Sequence, residues 1–160
     1  MPDGPAGRAL FLIQEREFGR VVVMLRLAAN NHAWGLLQLR RFEEAKALYR
    51  KTTPLARRVL GESHDTTLKM RWNYAKAFYC NPGATLDDLH EAVTTLKDVA
   101  RIARRVFGGA HPTTADFEIS LRNSRRALRD RESLLAQYLL YGVSALAIAA
   151  FALVQRSRRR

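Results

Sequence analysis

The chain is short of nearly every group that covalent chemistry needs. It has one cysteine, Cys80, in 160 residues, which excludes an internal disulfide framework and reads as a small buried hydrophobe. Its four histidines make no metal set. His64 and His111 recur at one position of a repeat, where they read as turn residues bonding the neighbouring helix, and His32 and His90 have no partner at ligand spacing. No glycine-rich phosphate loop follows a strand, and no strand is evident. Serine, cysteine and histidine show no nucleophile constellation. The expectation is a non-enzyme, with no catalytic residues, no cofactor and no metal.

Acidic residues are also scarce. Fifteen Asp+Glu face 27 Lys+Arg, a formal net charge of +12. Such a surface attracts acidic partners, nucleic acid or anionic lipid. Nucleic acid ranks last of the three, because ordered base-stacking aromatics are not visible. Apolar residues, at 48%, suffice for a packed core, and the length suits one domain or one repeat array with an appendage. The first seven residues, Met-Pro-Asp-Gly-Pro-Ala-Gly, read as a flexible tail without the layout of a secretion signal.

What the chain does have is a passage written twice. Residues 56–67 (Ala-Arg-Arg-Val-Leu-Gly-Glu-Ser-His-Asp-Thr-Thr) return at 103–114 as Ala-Arg-Arg-Val-Phe-Gly-Gly-Ala-His-Pro-Thr-Thr, identical at eight of twelve positions. Gly61 and Gly108 are 47 residues apart, and Gly19 lies 42 before Gly61. A period of this length marks supersecondary units that bury their apolar faces only against neighbours. The apolar positions of 42–60 and 89–107 fall at three-and-four spacing, so each glycine ends a helix B. Thr66/Thr67 and Thr113/Thr114 are placed to cap the helix A that follows, Thr113 with Asp116 as a variant capping box. Asn31-His32-Ala33 and Asn73-Tyr74-Ala75, each twelve residues after its glycine, put small residues where helices must approach. The five extra residues of the second unit fit the A–B turn at Asn81-Pro82-Gly83-Ala84, with Thr85 and Asp88 restarting the helix.

Asn31-His32-Ala33, Arg40-Arg41-Phe42-Glu43-Glu44-Ala45, Leu48-Tyr49-Arg50-Lys51 and Val59-Leu60-Gly61-Glu62-Ser63-His64 together resemble the tetratricopeptide repeat of the kinesin light chain type. Arg40 stands where that pattern has a turn glycine, Asp65 where it has a proline, and Pro54 lies inside helix B and predicts a kink. The resemblance implies an all-α fold: a short α-solenoid of about two and a half helix hairpins, followed by a long apolar C-terminal helix. The expected organisation is a tail at 1–7, a repeat domain at 8–130 (units 8–19, 20–61, 62–108 and 109–130), and a membrane or tail-anchor helix with a basic tail at 131–160. In that family the A helices line a concave groove whose asparagine bonds the backbone of an extended peptide. Carried over, that asparagine is Asn31 and Asn73. Helical spacing adds Asn30, Trp34 and Gln38 beside the first, and Lys69, Trp72 and Lys76 beside the second. An amide offers donor and acceptor together, tryptophan offers an anchor, and two lysines favour an acidic peptide.

The 21 residues from Leu134 to Val154 carry no charge, and as a helix they are about 31 Å long, a bilayer core's thickness. Tyr138 and Tyr141 stand near one end as interfacial aromatics do. With the short arginine tail this resembles the anchors of tail-anchored proteins of the mitochondrial outer membrane or peroxisome. Arg122, Arg125, Arg126 and Arg129 share one helix face just before it, placed for anionic headgroups. The sequence-based expectation is a membrane-tethered adaptor, facing the cytosol, that binds an acidic peptide. The alternative is a soluble, cytoplasmic scaffold whose last helix caps the array or drives oligomerisation.

Overall fold

A computed structural model describes the backbone of residues 16–21, 24 and 29–158, with side chains as far as Gly142. Five helices follow in order: α1 His32–Gln38, α2 Phe42–Leu60, α3 Asp65–Tyr79, α4 Leu86–Val106 and α5 Pro112–Arg158. Residues 16–21 are helical as well, and 29–31 form a wide π turn leading into α1. Residues 8–15 of the expected leading half repeat lie outside the described residues. No strand occurs among the described residues. Each helix packs on the next, and α3 also touches α1 and α5, so the A helices form one layer and α2 and α4 the other.

The packing rests on small side chains at the crossings. Ala33, Ala45, Ala56, Ala75, Ala77, Ala92 and Ala103 are all fully buried. Between them fit a few large groups: Tyr49 and Met70 where α1, α2 and α3 meet, Phe78 and Leu96 between α3 and α4, and Leu68, Val99 and Phe117 where α5 joins. Alternation of small and large side chains lets the helices interdigitate at interior density.

The connections follow the repeat. Gly61 and Gly108 take φ of 91° and 90°, a left-handed conformation that L side chains resist. The next helix is then capped by histidine rather than threonine. Nδ1 of His64 accepts from the Thr66 amide at 3.1 Å, and Nδ1 of His111 from the Thr113 amide at 3.2 Å. The threonines are drawn inward instead: Thr67 and Thr114 are fully buried, and the Thr67 hydroxyl donates to the Ala56 carbonyl at 3.4 Å. The Thr85–Asp88 capping box forms as expected, after an Asn81 turn that carries the extra residues. Arg40, in the glycine place of the first A–B turn, is forced to φ 58°. Helix α2 continues through Pro54.

The third unit departs from the expected boundary near 130. Nothing in Arg129–Arg131 breaks a helix, and α5 runs unbroken from Pro112 to Arg158, about 70 Å. Its last described polar ties to the array are Arg131, which donates to the Pro82 carbonyl at 2.7 Å, and Glu132, 3.9 Å from His90. Beyond them Leu134, Leu135, Tyr138, Leu139 and Tyr141 are exposed rather than docked on the repeats. Among the described residues no helix is long and apolar enough to cross a membrane; the stretch from Leu134 to Val154 lies outside the described side chains from residue 143 onward.

Arg40 and Gly61, two of the three left-handed positions, make a paired prediction. Arg40→Gly relieves strain and raises stability by about 0.5–1 kcal/mol, less what glycine gains in the unfolded chain. Gly61→Ala meets open space but imposes the strain, and lowers stability by about 1 kcal/mol. Urea unfolding followed by helical circular dichroism reads both, and equal midpoints for the two variants would contradict the assignment.

Candidate functional site

The asparagines expected to face a ligand divide. Asn73 is 3% exposed, and its amide nitrogen donates to Asn30 Oδ1 at 2.9 Å. The Tyr49 hydroxyl reaches the same residue, donating to the Asn30 carbonyl at 3.2 Å and Oδ1 at 3.3 Å. Asn30 and Asn73 therefore tie neighbouring helices to one another. The same rung recurs one repeat later. Indole Nε1 of Trp72 donates to Ser120 Oγ at 2.7 Å. Asn73 and Ser120 each lie twelve residues after their glycine, and Asn30 and Trp72 each eleven. The position that carries the repeat's asparagine signature is thus the tie between neighbouring A helices. Burial pushes the Tyr49 phenol well above its ordinary value and the Tyr79 phenol up to about 12.

Asn31, Trp34 and Gln38 remain exposed on α1, Trp34 at 48%. On α3, Lys69 is half-buried and pairs with Asp65 at 2.8 Å. Trp72 is half-buried against Phe117, with ring centroids 5.3 Å apart, and Lys76 stands over its other side at 4.5 Å from the ring centroid. Lys76 is thereby oriented by a cation–π contact, worth about 0.5–1 kcal/mol at an exposed site. Trp34 and Lys76 each lie fifteen residues after their glycine, and the matching residue on α5 is the exposed Asn123. Ile119, matching Trp72, is 45% exposed. The row Trp34, Lys76, Asn123 is the accessible column of the A-helix layer. Its third member has no signature in the sequence, because the Asn-x-Ala motif has become Ser120-Leu121-Arg122; the count from Gly108 finds it.

Arg122, Arg125, Arg126 and Arg129 of α5 are exposed. Arg122 and Arg125 occupy the positions that Ala75 and Phe78 hold on α3, each 47 residues on. Ala75 and Phe78 are fully buried against Ala92 and Leu96 of α4, whereas among the described residues Arg122 and Arg125 stand exposed with no such helix over them. Arg126 pairs with Asp130 at 3.8 Å. Among the described residues no group of histidine, cysteine or carboxylate side chains could hold a metal ion.

Comparison with known families matches the tetratricopeptide repeat to residues 26–65, the span from the approach to α1 through α2 to the first residue of α3. No curated protein and no solved structure matches the chain. The repeat architecture is that of protein–protein interaction scaffolds, and of a family that is typically non-catalytic.

Asn73→Ala is expected to cost about 1 kcal/mol, because the 2.9 Å bond to Asn30 is lost while Asn30 Oδ1 keeps the Tyr49 hydroxyl. Asn31→Ala, at an exposed position, stays within about 0.5 kcal/mol of the parent. Thermal unfolding of the two variants distinguishes them, and equal losses would remove the rung.

The buried phenols set an alkaline limit. A raised pKa stabilises the fold fully below the unfolded value near 10, and that contribution is lost as pH rises through the folded value. Stability falls above about pH 10 as Tyr79 approaches its folded value of about 12, and Tyr79→Phe flattens this limb of a pH–unfolding profile.

Proposed function

We propose that the chain is a non-catalytic adaptor that holds an extended, acidic peptide across its A-helix layer while its C-terminal segment tethers it to a membrane. The observation that carries the first half is Trp34, a large aromatic left half-exposed in the same repeat column as Lys76. Aromatic anchors of this kind dominate interface energetics, and a lysine fixed beside one selects for negative charge. Asn31 and Gln38 supply amides for a peptide backbone, whereas the charge of Lys69 is offset by Asp65. The likeness to the kinesin light chain repeats supports an extended peptide, with Asn30 and Asn73 now in a supporting role.

The tether reading is supported by the uncharged run from Leu134 to Val154, carried on a helix that continues to Arg158. Arg126 and Arg129 lie within about 12 Å of Leu134 along the axis, at headgroup reach, worth about 1 kcal/mol each near an anionic surface. Arg122 lies about 18 Å back, twice the screening length at physiological salt, so it contributes little there. A mitochondrial outer membrane or peroxisomal destination fits a moderately apolar span with a short basic tail.

Two measurements test the two halves separately. Trp34→Ala with Lys76→Glu should weaken capture of immobilised acidic peptides by about tenfold or more with the helical spectrum intact; undiminished capture places the groove elsewhere. The full chain should stay in the membrane pellet through carbonate extraction, and a form lacking 131–160 should not. Full-length protein in the soluble fraction would exclude the tether and leave the soluble scaffold.

A further inference from the structure

Two crevices on the B-helix side are copies of one another. The first, about 260 Å³, is lined by Arg50, Thr53, Arg57 and, on α3, Arg71 and Tyr74, and is walled by Glu91 of α4. The second, about 520 Å³, is lined by Lys97, Ala100, Arg104, Glu118, Leu121 and Arg125 among others. A shift of 47 residues converts one into the other: Arg50 corresponds to Lys97, Thr53 to Ala100, Arg57 to Arg104, Arg71 to Glu118 and Tyr74 to Leu121. The second lacks the wall.

In the first crevice that wall is a helix bearing carboxylates. Glu91 accepts from the Tyr74 hydroxyl at 2.7 Å, and Asp98, two helical turns on, lies 3.7 Å from Arg71. In the second crevice Arg101 is paired with Asp98 and Arg104 with Glu118. No carboxylate among the described residues pairs with Lys97, Arg105 or Arg125. The floor facing the empty side is also changed in sign and chemistry, since Arg122 and Arg125 replace the apolar pair that would seat a further repeat helix.

We infer that this crevice takes an acidic helical segment of a partner protein, lying where a third B helix would lie. Helical form follows from the wall that the equivalent crevice has and this one lacks, which is α4. Acidity follows from the three unpaired cations and from the Ala75-to-Arg122 and Phe78-to-Arg125 exchange, which asks for carboxylates where α4 presents Ala92 and Leu96. A second copy of the chain, at +12, repels this surface. No described segment after Pro112 turns back onto the crevice, since α5 runs unbroken to Arg158. The inference is independent of the A-helix layer and of the tether.

The probe is a labelled peptide of residues 85–99 carrying Ala92→Glu and Leu96→Glu, titrated with the full-length chain by fluorescence anisotropy. It should bind, and the unsubstituted peptide about tenfold more weakly. Arg125→Glu or Lys97→Glu in the chain should each lose about tenfold, and Leu96→Lys in the peptide should recover binding to the Arg125→Glu chain. Trp34→Ala should leave the affinity unchanged, which separates this surface from the peptide-binding column. Binding indifferent to Arg125→Glu overturns the inference. So does a chain that ignores the peptide while Arg125→Glu abolishes its adsorption to phosphatidylserine vesicles, because the arginines then serve lipid.

Discussion

The structure depends on how closely its helices can approach. Seven alanines at the crossings have no exposed surface, and a larger side chain at any of them would force the layers apart. The spacing they set allows Tyr49 to reach Asn30 and Asn73 to reach Asn30 across neighbouring helices. Hydrogen bonds of 2.7–2.9 Å between the A-helix units tolerate little displacement, so apolar spacing comes first and polar register second. The exposed column on the A layer follows from both. Trp34, Lys76 and Asn123 line up because the rungs beneath them fix each helix against the last.

Much of this was legible from the repeated passage. Helical periodicity, the left-handed glycines, the Thr85 capping box and the loop that takes up the extra residues are local consequences of local sequence. So was the strain at Arg40, visible as an arginine where the pattern has glycine. The site was less legible, for a definite reason. An asparagine on an A helix serves equally well as a ligand contact or as a rung, and only the partner distinguishes them. Asn73 finds Asn30, one residue off the register that pairs Asn73 with Asn31. A motif comparison aligns equivalent positions, whereas the rung joins positions that are not equivalent. Histidine capping was hidden similarly: the threonines after each histidine are good caps by type, and only burial shows that they face inward.

The end of the array shows how a repeat protein stops. A terminal unit has to replace the apolar seat for the next helix with something water tolerates. On α5 that replacement is arginine at the two positions where α3 has alanine and phenylalanine. The exchange removes any apolar reward for a returning B helix, and no glycine or proline interrupts 129–141 to turn the chain back. The helix therefore continues past Arg131, which donates to the Pro82 carbonyl, and Glu132, which lies 3.9 Å from His90.

That continuation has an energetic consequence. A helix that leaves its neighbours keeps its backbone hydrogen bonds but loses the burial from which most helical stability in proteins derives. Here it leaves with leucine and tyrosine outward. Each fully covered side chain of that size is worth about 1.5–3 kcal/mol, so five of them hold a sizeable driving force for association. Cations on α5 before this stretch and arginines after it bar close approach of like surfaces, at least at low salt. Under the proposed tether, an apolar segment bounded at both ends by positive charge takes an apolar layer with negative faces over a second copy of itself, and under the inferred docking the crevice behind it is left to acidic protein.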